Sequence, residues 1–138
     1  MSIFVLDASI SLAWWLDPEA QAFPHAVLES LETNEALAPS VWPLEVGNAL
    51  LVAERRNKVT RTMTSEIIQR LQELPIIVEQ ESPHRMFSEI RTLAQRCQLT
   101  SYDASYLDLA MQHGIPLATL DAALIRAASE CGVELYLV

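Results

Sequence analysis

Ile3-Phe4-Val5-Leu6-Asp7-Ala8-Ser9 opens the chain with four unbroken apolar residues and then, abruptly, an acid. A run of that length suits one β-strand. Its lack of polar alternation suits a strand covered on both faces, as in a parallel sheet between helices. A carboxylate at the mouth of such a strand has no obvious packing purpose. In open α/β sheets ligands bind beyond the carboxyl ends of the strands, so Asp7 is the first candidate site residue.

Working outward from this strand, Ser9 to Leu16 has the pattern of a helix. Asp17-Pro18 then reads as a cap and first position for a second helix reaching about Leu31. Glu35 to Ala38 is a weak strand closed by Pro39. Ser40 is placed to cap a long helix from Val41 to Arg56, which tolerates Pro43 in its first turn. Ile67, Ile68, Leu71 and Leu74 recur at helical spacing within Thr64 to Leu74, and Ile76-Ile77-Val78 follows as a strand. His84 to Gln95 reads as a helix with Met86, Phe87, Ile90 and Leu93 facing inward, and Ser101 to His113 as another, stopped by Gly114. Pro116 to Thr119 is a strand, Asp121 caps a helix from Ala122 to Ala128 that Gly132 ends, and Val133 to Leu137 is a last strand. Strands alternating with helices imply an α/β fold with a central, mainly parallel sheet flanked by helices on both faces. No repeat, low-complexity stretch or linker interrupts the 138 residues, so residues 1–138 read as a single domain.

Hydrophobic residues make up 51% of the chain, yet no apolar stretch approaches the roughly 20 residues a membrane-spanning helix needs. The first residues lack a basic leader, and Asp7 falls where a signal peptide would have its apolar centre, so a cytoplasmic protein without a membrane partner is expected. Cys97 and Cys131 are far apart and without the close spacing of metal or redox motifs; they read as reduced core thiols. The net charge of −9, with Lys58 as the only lysine, opposes general attraction to nucleic acid. Contact with a polyanion therefore requires that the negative charge be gathered at a cation-binding pocket, or that a basic partner cover it.

Four acids stand out: Asp7, Glu45, Asp103 and Asp121. Each of the last three has a structural alternative. Asp121 can cap its helix, Asp103 can be the acidic half of a capping box with Thr100, and Glu45 lies where a helix dipole favours negative charge. Taken together they are more informative, because three occupy helix N-termini and two follow strands, all places that converge at one rim of an α/β sheet. Two carboxylates about 4 Å apart repel by roughly 4 kcal/mol at an effective dielectric near 20, so such a cluster calls for a cation. Oxygen-only ligands favour Mg²⁺ or Mn²⁺; zinc would want His or Cys, and His25, His84 and His113 show no matching spacing, His113 reading as a helix-end residue. One or two hard cations that activate water and offset phosphate charge would serve phosphodiester hydrolysis.

These motifs resemble the PIN domains, particularly the VapC-like toxins of bacterial and archaeal toxin–antitoxin pairs. The resemblance spans the whole chain and rests on Phe4-Val5-Leu6-Asp7-Ala8-Ser9, Glu45-Val46-Gly47-Asn48-Ala49-Leu50, Leu99-Thr100-Ser101-Tyr102-Asp103-Ala104-Ser105-Tyr106 and Ala118-Thr119-Leu120-Asp121, in that order. It implies that Asp7, Glu45, Asp103 and Asp121 are the catalytic and metal-site acids, with Ser9, Asn48 and Thr119 as polar neighbours. Asn48 stands three residues after Glu45, so a helix presents both on one face. The resemblance further implies Mg²⁺- or Mn²⁺-dependent endoribonuclease action on a structured RNA, a homodimer, and an antitoxin whose C-terminal segment crosses the active-site groove. Some members carry a further acid three residues beyond the last; this chain has Leu124 there.

Arg55, Arg56, Lys58 and Arg61 form the one dense basic run, readable as phosphate contacts or as a solvated helix end. Trp14, Trp15 and Trp42 suit either a partner-binding groove or the core. A phosphoacceptor receiver would need a lysine near the end of a late strand, and Lys58 is misplaced for that. A haloacid-dehalogenase-type phosphatase would want an acid where Ser9 stands. The remaining alternative is a PIN-like scaffold that binds a partner or RNA without effective hydrolysis.

Overall fold

The computed structural model describes residues 2–19 and 22–138. Among these residues the sheet has four strands, β1 (Ile3–Leu6), β2 (Glu35–Pro39), β3 (Ile76–Glu79) and β4 (Leu117–Ala118). They are parallel throughout and ordered β3-β2-β1-β4. The chain moves outward from β1 to β2 to β3, then returns to lay β4 on the other side of β1. That reversal makes a topological switch point between β1 and β4, the kind of place where open α/β sheets bind ligands. Phe4, Val5 and Leu6 are all fully buried. Successive strand residues point to opposite faces, so the sheet is covered on both sides, as the unbroken apolar run implied.

The helices are α1 (Ala8–Leu16), α2 (Ala22–Ser30), α3 (Trp42–Arg55), α4 (Arg61–Glu73), α5 (Pro83–Arg85), α6 (Arg91–Cys97), α7 (Ser101–His113) and α8 (Ala122–Glu130), with a π-helical turn, Met86–Ile90, joining α5 to α6. None of the helices formed by the described residues is long and apolar enough to cross a membrane. Helix α7 packs against β1, β2 and β4, and it buries Ala104, Tyr106, Leu107, Asp108, Leu109 and Ala110. Its first turn is thereby held against the sheet. The tryptophans serve the core: Trp14 and Trp42 are buried, and their indole N–H groups donate to the Pro24 carbonyl at 2.8 Å and to Ser11 Oγ at 2.9 Å.

Several boundaries differ from the sequence reading, each for a local reason. Asp17 ends α1 instead of starting α2, because its Oδ1 accepts the Glu19 N–H at 2.9 Å and closes a turn through Pro18; residues 20–21 of the expected second helix lie outside the described residues. Ser40 caps nothing, since Val41 already has helical dihedrals at the N-cap position of α3. Thr60, overlooked in sequence, starts α4 by accepting the Met63 N–H at 3.1 Å. Met86 and Phe87 face out, Phe87 at 79% exposure, because the π-helical turn widens the helix and rotates these residues off the inner face. The last strand shrinks to a single bridge between Leu135 and Leu117. Tyr136 nonetheless anchors that tail, stacking on Phe4 with ring centroids 3.8 Å apart.

Candidate metal centre

Asp7 stands at the N-cap position of α1 with extended backbone, yet its carboxylate makes no capping bond. The side chain is held by two hydroxyls instead. Its Oδ2 accepts from Ser9 Oγ at 2.6 Å and from Thr119 Oγ1 at 2.8 Å. Both hydroxyls also accept backbone N–H groups from the turn after β4: Leu120 donates to Ser9 Oγ and Asp121 to Thr119 Oγ1, each at 3.0 Å. Two short side chains thus lace the end of β1 to the loop that delivers Asp121. Asp7 is 4% exposed, and burial pushes its carboxyl above the ordinary carboxylate range, while the Ser9 and Thr119 hydrogen bonds oppose that rise and the charge of Asp121 adds to it.

Asp121 is the N-cap of α8. One oxygen, Oδ1, accepts from the N–H groups of Ala123 at 2.8 Å and Leu124 at 3.4 Å. The cap uses Oδ1 alone, so capping and a place in the cluster are compatible. Asp103 sits in the first turn of α7, where Thr100 Oγ1 accepts its backbone N–H at 3.0 Å. Burial lifts the Asp103 carboxyl to about 6, and the charges of Asp121, Asp7 and Glu45 push it the same way. Glu45, in the first turn of α3, is raised by burial and by Asp7, against the pull of a hydrogen bond from Tyr106. Asp103 thus feels the charge of all three other acids, so the fold brings these four residues, distant in sequence, near one another.

Tyr106 is the residue that sequence reasoning missed. It is fully buried one helical turn after Asp103, and its hydroxyl donates to Glu45 Oε1 at 2.7 Å, tying α7 to α3 across the site. The signal was present: a tyrosine three residues after an acid shares its helix face. Burial and the adjacent carboxylates hold its hydroxyl protonated, far above the usual phenol range. Other expected residues lie elsewhere. Asn48 is exposed, and among the described residues no hydrogen bond ties it to the acids. Arg55 is the last residue of α3, ten positions beyond Glu45 or roughly 15 Å along the axis, and Arg56, Lys58 and Arg61 continue away from it, all exposed. His113 pairs with Glu79 at 2.8 Å, as a helix-end residue would.

Among the described residues no arginine, lysine or histidine forms an ion pair with Asp7, Glu45, Asp103 or Asp121. Among the described residues no three His, Cys, Asp or Glu side chains form a ready metal cage. This donor set, all oxygen, matches a hard divalent ion. Beside the acids lies a separate cavity of about 290 Å³. Its lining includes Leu44 and Tyr102, the chain neighbours of Glu45 and Asp103, and none of the four acids.

Away from this rim, the buried Asp108 of α7 receives two bonds from Arg85, both at 3.0 Å, and one from Gln112 at 2.6 Å, while Glu81 pairs with the same arginine. This network fastens the start of the α5 segment to α7.

The described geometry has counterparts in solved structures. The fold is similar to that of PAE2754 from Pyrobaculum aerophilum (TM-score 0.72, 23% identity, over 91% of this chain and 84% of that one). It is also similar to FitAcB from Neisseria gonorrhoeae (TM-score 0.64, 19% identity, 99% and 97%). A third likeness is to VapBC2 from Rickettsia felis, solved bound to a DNA fragment from its promoter (TM-score 0.66, 14% identity, 97% of each chain). No curated protein matches the sequence. The family model described as PIN domain matches residues 4–130, which take in all four acids and every strand but the first residue of β1, and the chain belongs to that family.

Proposed function

We propose that the chain is a divalent-metal-dependent endoribonuclease that acts as the toxin of a toxin–antitoxin pair. What supports this reading is the mutual repulsion of four acids distant in sequence: the charges of Asp7, Glu45 and Asp121 act on Asp103, that of Asp121 on Asp7 and that of Asp7 on Glu45. Membership of the PIN family supports nuclease chemistry. The likeness to VapBC2 and FitAcB supports an antitoxin partner, and with it a cytoplasmic homodimer of the kind the family resemblance implies.

In this mechanism the four acids hold Mg²⁺ or Mn²⁺, with Ser9 and Thr119 fixing the Asp7 carboxylate and Tyr106 fixing that of Glu45. When bound, the cation offsets phosphate charge and activates the attacking water. Asp7 cannot swing away, because its Oδ2 is held by two hydroxyls that are themselves fastened to the next loop. Asp121 is fixed by the first turn of α8. The site is therefore organised before substrate arrives, which spares reorganisation during the reaction. Asn48, exposed on α3 near Glu45, is positioned to meet a substrate from outside the cluster, and Arg55, Arg56, Lys58 and Arg61 would contact more distant phosphates.

The experiment is cleavage of labelled structured RNA by purified protein, with and without its antitoxin, in Mg²⁺, Mn²⁺ or EDTA. Cutting that requires the divalent ion and is lost in Asp7→Asn and Asp121→Asn is expected. Undiminished cutting in EDTA would overturn the mechanism. RNA binding without cutting under every metal condition would favour the scaffold reading.

A further inference from the structure

Cys97 and Cys131 are separated by 34 positions, and neither belongs to a thiol motif. The fold brings them into contact. Cys97 is the last residue of α6 and Cys131 directly follows α8, and their sulfurs lie 3.6 Å apart as free thiols. The surroundings hold them there. Arg126 of α8 donates to the Cys97 carbonyl at 3.2 Å, and Gln98, at φ 55°, turns the chain sharply after Cys97. The Arg96 guanidinium acts on both sulfurs. Cys97 is buried and Cys131 is partly exposed, so an oxidant reaches one thiol first and finds the second directly behind it.

We propose that Cys97 and Cys131 form a peroxide-sensitive modification site that closes to an intramolecular disulfide between the ends of α6 and α8. In the first step the Cys131 thiolate attacks one oxygen of hydrogen peroxide; the O–O bond breaks and hydroxide leaves, giving a sulfenic acid. In the second the Cys97 sulfur attacks the Cys131 sulfur. The S–O bond breaks, and water leaves with the proton from Cys97. Overall the two sulfurs lose two electrons, peroxide is reduced, and two waters form. Both steps depend on a thiolate, the form of sulfur that attacks. Burial raises the Cys97 thiol above its ordinary pKa, so the more exposed Cys131 is the thiol that peroxide meets first. Closing the gap to a bond of about 2.05 Å asks for a movement of roughly 1.5 Å.

The closed loop would enclose α7, β4 and α8, and with them Asp103 and Asp121. Oxidation would then lock together the segments that carry half of the acid cluster, and restrict the unfolded chain. In a reducing compartment the pair rests as thiols, available to oxidative stress.

The test uses the full chain, reduced with a phosphine that is then removed and exposed to hydrogen peroxide. Both thiols should disappear from a thiol titration, and the intact mass should fall by two hydrogens without dimer formation. Digestion should yield one peptide pair linked through Cys97 and Cys131. The melting temperature should rise by about 10 °C and return on adding dithiothreitol. Cys131→Ser should abolish all of these changes, and Cys97→Ser should leave Cys131 oxidising without a crosslink. Two thiols that still titrate after peroxide, a sulfonic acid on Cys131 with Cys97 untouched, or a bond formed only between chains would each overturn the proposal. The wild-type mass and peptide map decide even if a variant fails to fold. No readout depends on RNA cleavage, so this site and the nuclease reading stand or fall separately.

Discussion

Replacing Asp103 with Asn should make the metal-free protein more stable at neutral pH while removing its response to divalent ions. The carboxyl of Asp103 rises from an ordinary 3.8 to about 6 through burial and three neighbouring acids. The native state thus binds that proton more tightly than the unfolded chain does. The ionised form penalises folding above about pH 6, and the penalty fades as pH falls from there to the unfolded value. Taken at face value the rise corresponds to about 3 kcal/mol, and solvent screening of this half-exposed group reduces it to about 1 kcal/mol. Asn keeps the shape without the charge. In EDTA at about pH 7.5 the variant should melt roughly 3–5 °C above the wild type, and at about pH 4 the two should coincide. Adding Mg²⁺ or Mn²⁺ at about a hundredfold excess over Kd should stabilise the wild type by about 2.7 kcal/mol and the variant by far less. Differential scanning fluorimetry across pH, with and without cation, reads all of this. A variant less stable than the wild type in EDTA at neutral pH, or a difference that does not change with pH, would refute the idea that repulsion is stored among the four acids.

Tyr106→Phe removes the hydroxyl that holds Glu45 and should cost about 1 kcal/mol, with metal-dependent cleavage reduced more than melting temperature; equal, small effects on both would mean that the bond is only structural. Asp108→Ala removes the two bonds from Arg85 and the one from Gln112 while leaving Arg85 its pair with Glu81, and should cost about 1–2 kcal/mol in urea unfolding, with the shift on adding Mg²⁺ intact, because the network lies away from the acid rim. Changing Arg55, Arg56, Lys58 and Arg61 together to Gln should weaken RNA binding and flatten its salt dependence by a log–log slope of up to about 3, measured by filter binding; an unaltered slope would place the run outside the RNA path.

The α/β class was legible because β1 is apolar without alternation, and that pattern arises only where both faces are covered. The acids could be singled out as candidates because strand ends and helix starts meet at one rim in this architecture, whichever loops connect them. What could not be read were features decided by a partner distant in sequence. Ser40 looks like a cap, and Thr60 does not look better; only the entry angle of each helix decides between them. Met86 and Phe87 have core periodicity, and a π-helical turn of five residues turns them outward. The meeting of Cys97 with Cys131, and of Tyr106 with Glu45, depends on packing across elements that no local pattern encodes.

The same comparison bears on why the site is built this way. Asp7 and Asp121 both occupy N-cap positions, where a carboxylate ordinarily stabilises the helix it starts. Asp121 does so through one oxygen, whereas Asp7 leaves the cap of α1 unmade and is held by Ser9 and Thr119. A missed cap costs on the order of 1 kcal/mol, and crowding the acids adds to that. A sequence selected for stability alone would remove both losses with a single amide or hydroxyl. Retaining them makes sense if something outside the chain supplies the missing positive charge. Any cation bound there is therefore tied to folding.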